Sequence, residues 1–232
     1  MREIIFDTET TGLDPRNGDR LVEIGCIELV DRRETGRNFH AYFNPERDMP
    51  MEAEAVHGLS IQFLSDKPLF VSRVDELLDF LGDAPMVAHN AAFDFGFLNA
   101  ELARSGRPAL DMARMCCTVQ MARKLHPGAK HSLDALCTRY GIDRSHRVKH
   151  GALLDAELLA HLYIEMTGGR QIGLGLAADP APGVSQVAMP AAAPVPARPY
   201  REPRPHAATP AELARHTEFV AALNQPLWHD SP

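Results

Sequence analysis

Glu3-Ile4-Ile5-Phe6-Asp7-Thr8-Glu9-Thr10-Thr11-Gly12 is the stretch that decides the fold. Its apolar opening, Glu3 to Phe6, reads as a short buried strand, and two acids one residue apart, Asp7 and Glu9, stand at the strand's end. Side chains two apart on a strand point to one face, so both carboxylates can reach the same cation. Carboxylate oxygens suit a hard divalent ion such as magnesium or manganese, and no Cys/His set points to zinc. An isolated acidic pair at a strand end is equally a solvated turn, so the weight of the reading comes from the rest of the chain.

Working outward, Arg20 to Val30 and Asn38 to Phe43 read as two more strands, with a turn near Glu34-Thr35-Gly36. The short connections make these neighbours antiparallel. Pro85 to His89 is a fourth strand, and the helix-like stretches Phe70 to Leu81 and Ala91 to Ser105 on either side make it a crossover strand. Thr118 to Leu125, Ser132 to Tyr140 and Gly151 to Met166 complete a helical second half. The predicted class is α/β, a mixed sheet flanked by helices and closest to the ribonuclease-H-like architecture.

Two further segments bring acids to this frame. In His89-Asn90-Ala91-Ala92-Phe93-Asp94 a third carboxylate falls in the first turn of a helix that Asn90 can cap, directly after the fourth strand. In His150-Gly151-Ala152-Leu153-Leu154-Asp155 the fourth acid lies inside a helix, and Gly151 leaves His150 free to swing toward a site. Dipole chemistry alone accounts for an Asp near a helix N-terminus. Four acids and a histidine spaced along one sheet edge have a joint use that none has singly.

The formal net charge of −7 argues against a broad basic surface that coats nucleic acid, so any such contact is local. Arg144, Arg147 and Lys149, with His146 among them, form one local basic cluster that could meet a phosphate backbone. Cys26, Cys116, Cys117 and Cys137 lack metal-knuckle spacing, and the chain shows neither a signal segment nor a membrane-spanning apolar run. The expectation is a cytoplasmic protein with reduced, mostly buried thiols.

Phe6-Asp7-Thr8-Glu9-Thr10-Thr11-Gly12, His89 to Asp94 and His150 to Asp155 together resemble the three motifs of the DEDDh 3′→5′ exonucleases. The His-x4-Asp spacing matches the histidine branch of that family. Val56-His57-Gly58, Ser132-Leu133-Asp134-Ala135-Leu136-Cys137 and Met166-Thr167-Gly168-Gly169 are similar in particular to the proofreading epsilon subunits of bacterial DNA polymerase III. His131 departs from the asparagine common in similar chains, at a position without catalytic role. The resemblance covers roughly residues 1 to 170. It implies phosphodiester hydrolysis at a DNA 3′ end with two divalent ions, magnesium or manganese. Asp7, Glu9 and Asp155 would hold one ion, Asp7 and Asp94 the second, and His150 would be the general base. It further implies that Thr10, Glu52, His57 and Phe93, beside Asp7 and Glu9, flank the terminal nucleotide.

The chain is longer than one compact domain needs. Residues 1–169 form the predicted exonuclease domain. At 170–176, Gln171-Ile172-Gly173-Leu174-Gly175-Leu176 resembles the short peptides that dock in the bacterial sliding clamp, with Gln171, Leu174 and Leu176 as contacts. Residues 177 to 210 hold nine of the eighteen prolines and no sustained apolar period, so 177–208 reads as a disordered Ala/Pro-rich tether. Extended like polyproline, at about 3.1 Å per residue, it would reach roughly 100 Å. Residues 209–232 carry a capped, helix-like segment with Phe219, Val220 and Trp228, an amphipathic end that seeks a partner; by resemblance this is the polymerase alpha subunit. Two other functions share these features: a free-standing DEDDh nuclease acting on RNA or DNA 3′ ends, and a non-catalytic adaptor. Intact signature residues speak against the adaptor.

Overall fold

The structure is a computed structural model that describes residues 1–145, 147, 149–169 and 207–223. The chain divides into two units, Met1–Leu176 and Ala177–Pro232. The first unit is built on a five-stranded sheet in the order β3-β2-β1-β4-β5. Strand β1 spans Arg2–Thr10, β2 Leu21–Val30, β3 Arg33–Tyr42, β4 Met86–Ala88 and β5 Met115–Cys117. β1, β2 and β3 pair antiparallel, while β4 joins β1 and β5 in parallel, so the mixed ribonuclease-H-like sheet is as expected.

Alternation along β1 sorts the core into two layers. Ile4 and Phe6 face a cluster with α3 (Phe70–Leu81) and α4 (Ala91–Arg104), whereas Ile5 faces α5 (Thr118–Leu125), α6 (Leu133–Tyr140) and α7 (Ala152–Met166). α3 follows from its pattern: Phe70, Val74, Leu77 and Leu81 recur at helical spacing and are all buried. Each such side chain contributes about 1.5–3 kcal/mol on leaving water. Helix α7 buries most of its surface, Asp155 included. A carboxylate inside so apolar a helix is costly unless its charge is met. Two short helices, α1 (Met51–His57) and α2 (Ile61–Leu64), lie between β3 and α3.

Four readings need correction. The hairpin turn is Asp31-Arg32, both at positive φ (50° and 61°), as a two-residue primed turn demands, rather than Glu34-Thr35-Gly36. Gly36, at φ 80°, instead sits in the register shift of β3, so its glycine signal marks a bulge. Strand β1 also runs past Asp7 and Glu9 to Thr10 instead of ending before them. Asn90 precedes α4 but adopts the left-handed conformation, φ 70°, and its side chain makes no capping bond. Gly151 is extended at φ −159°, a conformation open to any residue, so His150 owes nothing to glycine freedom there. Strand β5 escaped notice because three residues after a 3-10 turn are too few to show alternation.

All four cysteines are free; Cys26 and Cys137 are buried and the other two half-buried. In the second unit, α8 (Pro210–Ala221) opens with a capping box between Thr209 and Glu212, a device worth about 1 kcal/mol. Gln171, Leu174, Leu176, the tether through His206 and Trp228 lie outside the described residues. Among the described residues no helix is long and apolar enough to cross a membrane.

Candidate active site

Pleating places Asp7 and Glu9 on the α7 face of β1 with Ile5, while Thr8 points to the α4 face. Asp94, on the first turn of α4, reaches the same edge from the other layer and accepts a 2.7 Å hydrogen bond from Thr8 Oγ1. Asp155 comes down from the first turn of α7, and His150 stands beside it with Nδ1 3.3 Å from Asp155 Oδ2. All five predicted residues line one cleft of about 310 Å³, together with His89, Phe93, Asp134 and Arg147. Donor atoms of Glu9, His150 and Asp155 lie within 4.8 Å of one another, close enough to share a cation.

The electrostatics show what this crowding costs. Burial, with the nearby charges of Asp94, Glu9 and Asp155, holds Asp7 well above the usual carboxylate range. Burial pushes Glu9 up to about 8, reinforced by Glu23 and Asp155 and opposed by Arg147. Burial also lifts Asp94 to about 7 against the hydrogen bond from Thr8. These acids lack sufficient positive charge. An oxygen-rich donor set with one imidazole at its rim fits a hard divalent cation, whose charge would reverse each of those shifts.

A second cleft, of about 500 Å³ and mostly apolar, shares Thr8, Glu9 and Phe93 with the first. Thr10, Glu52 and His57 line it too, whereas Asp7 lines the first cleft and not this one. His57 is buried rather than on a solvated helix face. Its Nδ1 accepts from the Leu59 amide at 3.0 Å, which leaves Nε2 to carry the ring proton, and desolvation lowers its pKa. That Nε2 lies toward the backbone of Thr10 without a well-formed bond. The His150 amide reaches the Val56 carbonyl at 3.4 Å, linking α1 to the histidine segment.

In the basic cluster Arg147 turns inward, while Arg144 and Lys149 stay exposed. Arg144 and Arg147 both pair with Asp134, and Arg147 also grips Asp155 with two bonds of 2.5 and 2.6 Å. Lys149 packs its stem near Gly58, and His146 lies outside the described residues.

Two residues of β2 shape the site without having been singled out. Glu23 lies opposite Glu9 and is buried, with His40 Nε2 2.8 Å from its carboxylate. Gly25 lies opposite Asp7, and a Cβ there would fall 2.3 Å from the backbone of Leu153. The first turn of α7 therefore rests directly on the strand, which brings Asp155 down to Asp7. A glycine inside an otherwise apolar strand is a legible sign of such close approach. Gly25→Ala is expected to force α7 off the sheet and cost about 1–3 kcal/mol or more, as overpacking does. Thermal unfolding of the purified variant checks this, and an unchanged midpoint would contradict the contact.

The sheet order and the carboxylate cleft define a ribonuclease-H-like nuclease architecture. The family model RNase_T, described as Exonuclease, matches residues 4–163. DNA polymerase III subunit epsilon of Rickettsia conorii is 56% identical over 174 residues, covering 74% of this chain and 76% of that protein. The subunit of the same name in Escherichia coli is 47% identical over 176 residues, 73% of this chain and 72% of that protein. Exonuclease X in complex with 5′ overhanging duplex DNA superposes with a TM-score of 0.54 at 27% identity, over 71% of this chain and 90% of its own. The nuclease domain of 3′hExo, a DEDDh family member bound to rAMP, shares the fold with a TM-score of 0.62 at 17% identity, over 72% of this chain and 91% of its own. The chain belongs to the exonuclease family and, within it, to the DNA polymerase III epsilon subunits.

Proposed function

We propose that the chain is the proofreading 3′→5′ exonuclease of a bacterial replicative DNA polymerase, hydrolysing mispaired nucleotides from the 3′ end. The observation that carries it is the convergence of Asp7, Glu9, Asp94, Asp155 and His150 on one cleft beside an apolar cleft sized for a nucleotide.

Divalent-metal dependence follows from the family and from the unmet negative charge of the site. In the proposed arrangement Asp7, Glu9 and Asp155 would hold one magnesium or manganese ion, and Asp7 with Asp94 would hold a second. Such ions supply charge stabilisation to the attacking and leaving oxygens. The chain's own part is to fix the reactants. Thr8 orients Asp94 through its hydrogen bond, and the rigid β1 backbone spaces Asp7 from Glu9. Phe93 and Thr10 wall the nucleotide cleft, Glu52 stands at its rim, and the buried His57 ring lines it beside Thr10. His150 takes a proton from the attacking water, a task suited to an imidazole near neutral pH. The bond from phosphorus to the O3′ of the penultimate nucleotide then breaks, the terminal nucleotide leaves with its 5′-phosphate, and the O3′ of the shortened strand takes up a proton to become the new 3′-hydroxyl.

Purified protein incubated with 5′-labelled DNA and RNA oligomers, with magnesium and with chelator, tests the proposal. A ladder that shrinks from the 3′ end of DNA in the presence of metal is expected. Faster loss of RNA would favour a free-standing RNA-end nuclease, and no metal-dependent degradation of either strand would sink the assignment.

The partners are proposed from the tail. Gln171, Leu174 and Leu176 dock in the sliding clamp, and the segment from Thr209 to Trp228, which includes α8, holds the polymerase alpha subunit. Exposed Leu213 and Phe219 on α8 support an apolar docking helix. A tether between two peptides makes the second contact intramolecular, so each can be weak alone. Replacing Gln171, Leu174 and Leu176 by Ala should abolish clamp pull-down while sparing nuclease rate and polymerase pull-down. Undiminished clamp binding would reduce the motif to a domain exit.

A further inference from the structure

Arg147 makes more contacts inside the acidic cleft than any role in phosphate binding requires. Its Nε and Nη2 take both oxygens of Asp155, at 2.5 and 2.6 Å, and Nη1 holds Asp134 at 2.9 Å. Nη2 also lies 2.8 Å from His150 Nδ1. The side chain is nearly buried, with 9% of its surface exposed. A fork-on-fork pair of this kind is among the stronger interactions available to a carboxylate. It uses both oxygens of Asp155 and the basic lone pair of His150, the atoms that the proposed metal site and general base need free.

We propose that Arg147 is a resident counter-cation that closes the metal-free site and must release Asp155 and His150 before a divalent ion is held there. The inference rests on the metal reading of the cleft given above. The site is acidic on every side: Asp7 and Glu9 from β1, Asp94 from α4 and Asp155 from α7 meet in it, with His150 at its rim. Without an ion, their mutual repulsion is offset from within the chain, and among the described residues Arg147 is the cation whose charge acts on both Asp7 and Glu9. Asp134, on α6, gives the guanidinium a second anchor. Arg147 can therefore leave Asp155 without being expelled to solvent. Metal binding is then an exchange of one positive charge for another, and the metal-free protein is protected from an unneutralised acidic core.

Arg144 provides an internal control. It bonds the same Asp134 oxygen at 2.8 Å from the same loop, yet has no bond to Asp155 among the described residues. A general effect of removing a positive charge would appear in both arginines, whereas an exchange at Asp155 belongs to Arg147 alone.

The test uses the full chain and manganese as the probe, with affinity measured by calorimetry or by the electron paramagnetic signal of the free ion. Arg147→Gln is expected to tighten manganese binding about tenfold, about 1.4 kcal/mol, because the guanidinium no longer competes for Asp155. The same variant should melt earlier than wild type in EDTA but level with it in saturating manganese. Arg144→Gln should change neither affinity nor the EDTA midpoint by a comparable amount. Arg147→Lys, which keeps the charge but loses the fork, should fall between wild type and Arg147→Gln, and it decides the matter should the glutamine variant fail to fold. Manganese binding unchanged or weakened in both Arg147 variants would overturn the exchange. Wild-type protein that binds no manganese would instead overturn the metal site itself.

Discussion

Asp7→Ala is expected to lower the exonuclease rate by about 10³-fold or more while leaving the metal-free fold intact. Asp7 is the acid at the centre of the cluster, with Asp94, Glu9 and Asp155 all contributing to its raised proton affinity. Cations at such a site lower the barrier by several kcal/mol, and each 1.36 kcal/mol is a factor of ten, so losing the shared ligand has a large kinetic cost. The folded state has little reason to suffer. Removing a half-buried acid that is repelled from three sides relieves strain, so the melting midpoint in EDTA should stay level or rise, while the stabilisation by manganese is lost. The measurement pairs nuclease rate on a 5′-labelled strand with thermal unfolding in EDTA and in manganese. A folded Asp7→Ala protein with near-normal activity would refute the site.

How much of this was legible in the sequence differs by residue. The sheet and its connections were readable because β1, β2 and α3 carry the periodicities their burial demands: Phe70, Val74, Leu77 and Leu81 could only be one face of a helix. Asp7, Glu9, Asp94, Asp155 and His150 were recognisable as a set through their motifs, and pleat and helix geometry explain why they meet. Local turn chemistry was less legible. Asp31 and Arg32 adopt positive φ without glycine, an arrangement imposed by the tight pairing of β2 with β3. The glycine four residues further on, Gly36, drew the turn to itself. Strand β5 was hidden by its length.

Roles that depend on distance between chain segments were the least visible. Gly25 matters because Leu153, 128 positions later, rests on it, and no local pattern carries that information beyond the oddity of a glycine in an apolar strand. Glu23 is similar: an acid in a buried strand that acquires meaning only when the register sets it against Glu9. Arg147 shows the converse error. A cluster of basic residues in sequence suggests a surface for phosphate, yet the fold turns Arg147 inward to the acids, where charge is scarcer. In each case the tertiary pairing, not the residue type, fixes what the side chain does.

His150→Ala is expected to slow cleavage by roughly 10²- to 10⁴-fold, the usual contribution of a positioned general base, with little loss of metal-dependent stabilisation. The imidazole is half-exposed at the rim of the cleft, so truncating it leaves no cavity and the fold should persist. Its Nδ1 lies 3.3 Å from Asp155 Oδ2, which sets the ring against the acids, while the amide bond to Val56 ties the backbone to the nucleotide cleft. The ring therefore stands between the acids and the bound strand, where an attacking water would need a proton acceptor. If the ring is the base, a limb of the wild-type pH–rate profile should disappear in the variant. A pH–rate series on single-stranded DNA, run beside a manganese titration, separates the two jobs. Lost manganese affinity with an intact pH limb would make His150 a ligand rather than the base, and an unchanged rate at pH 7 would remove it from the mechanism.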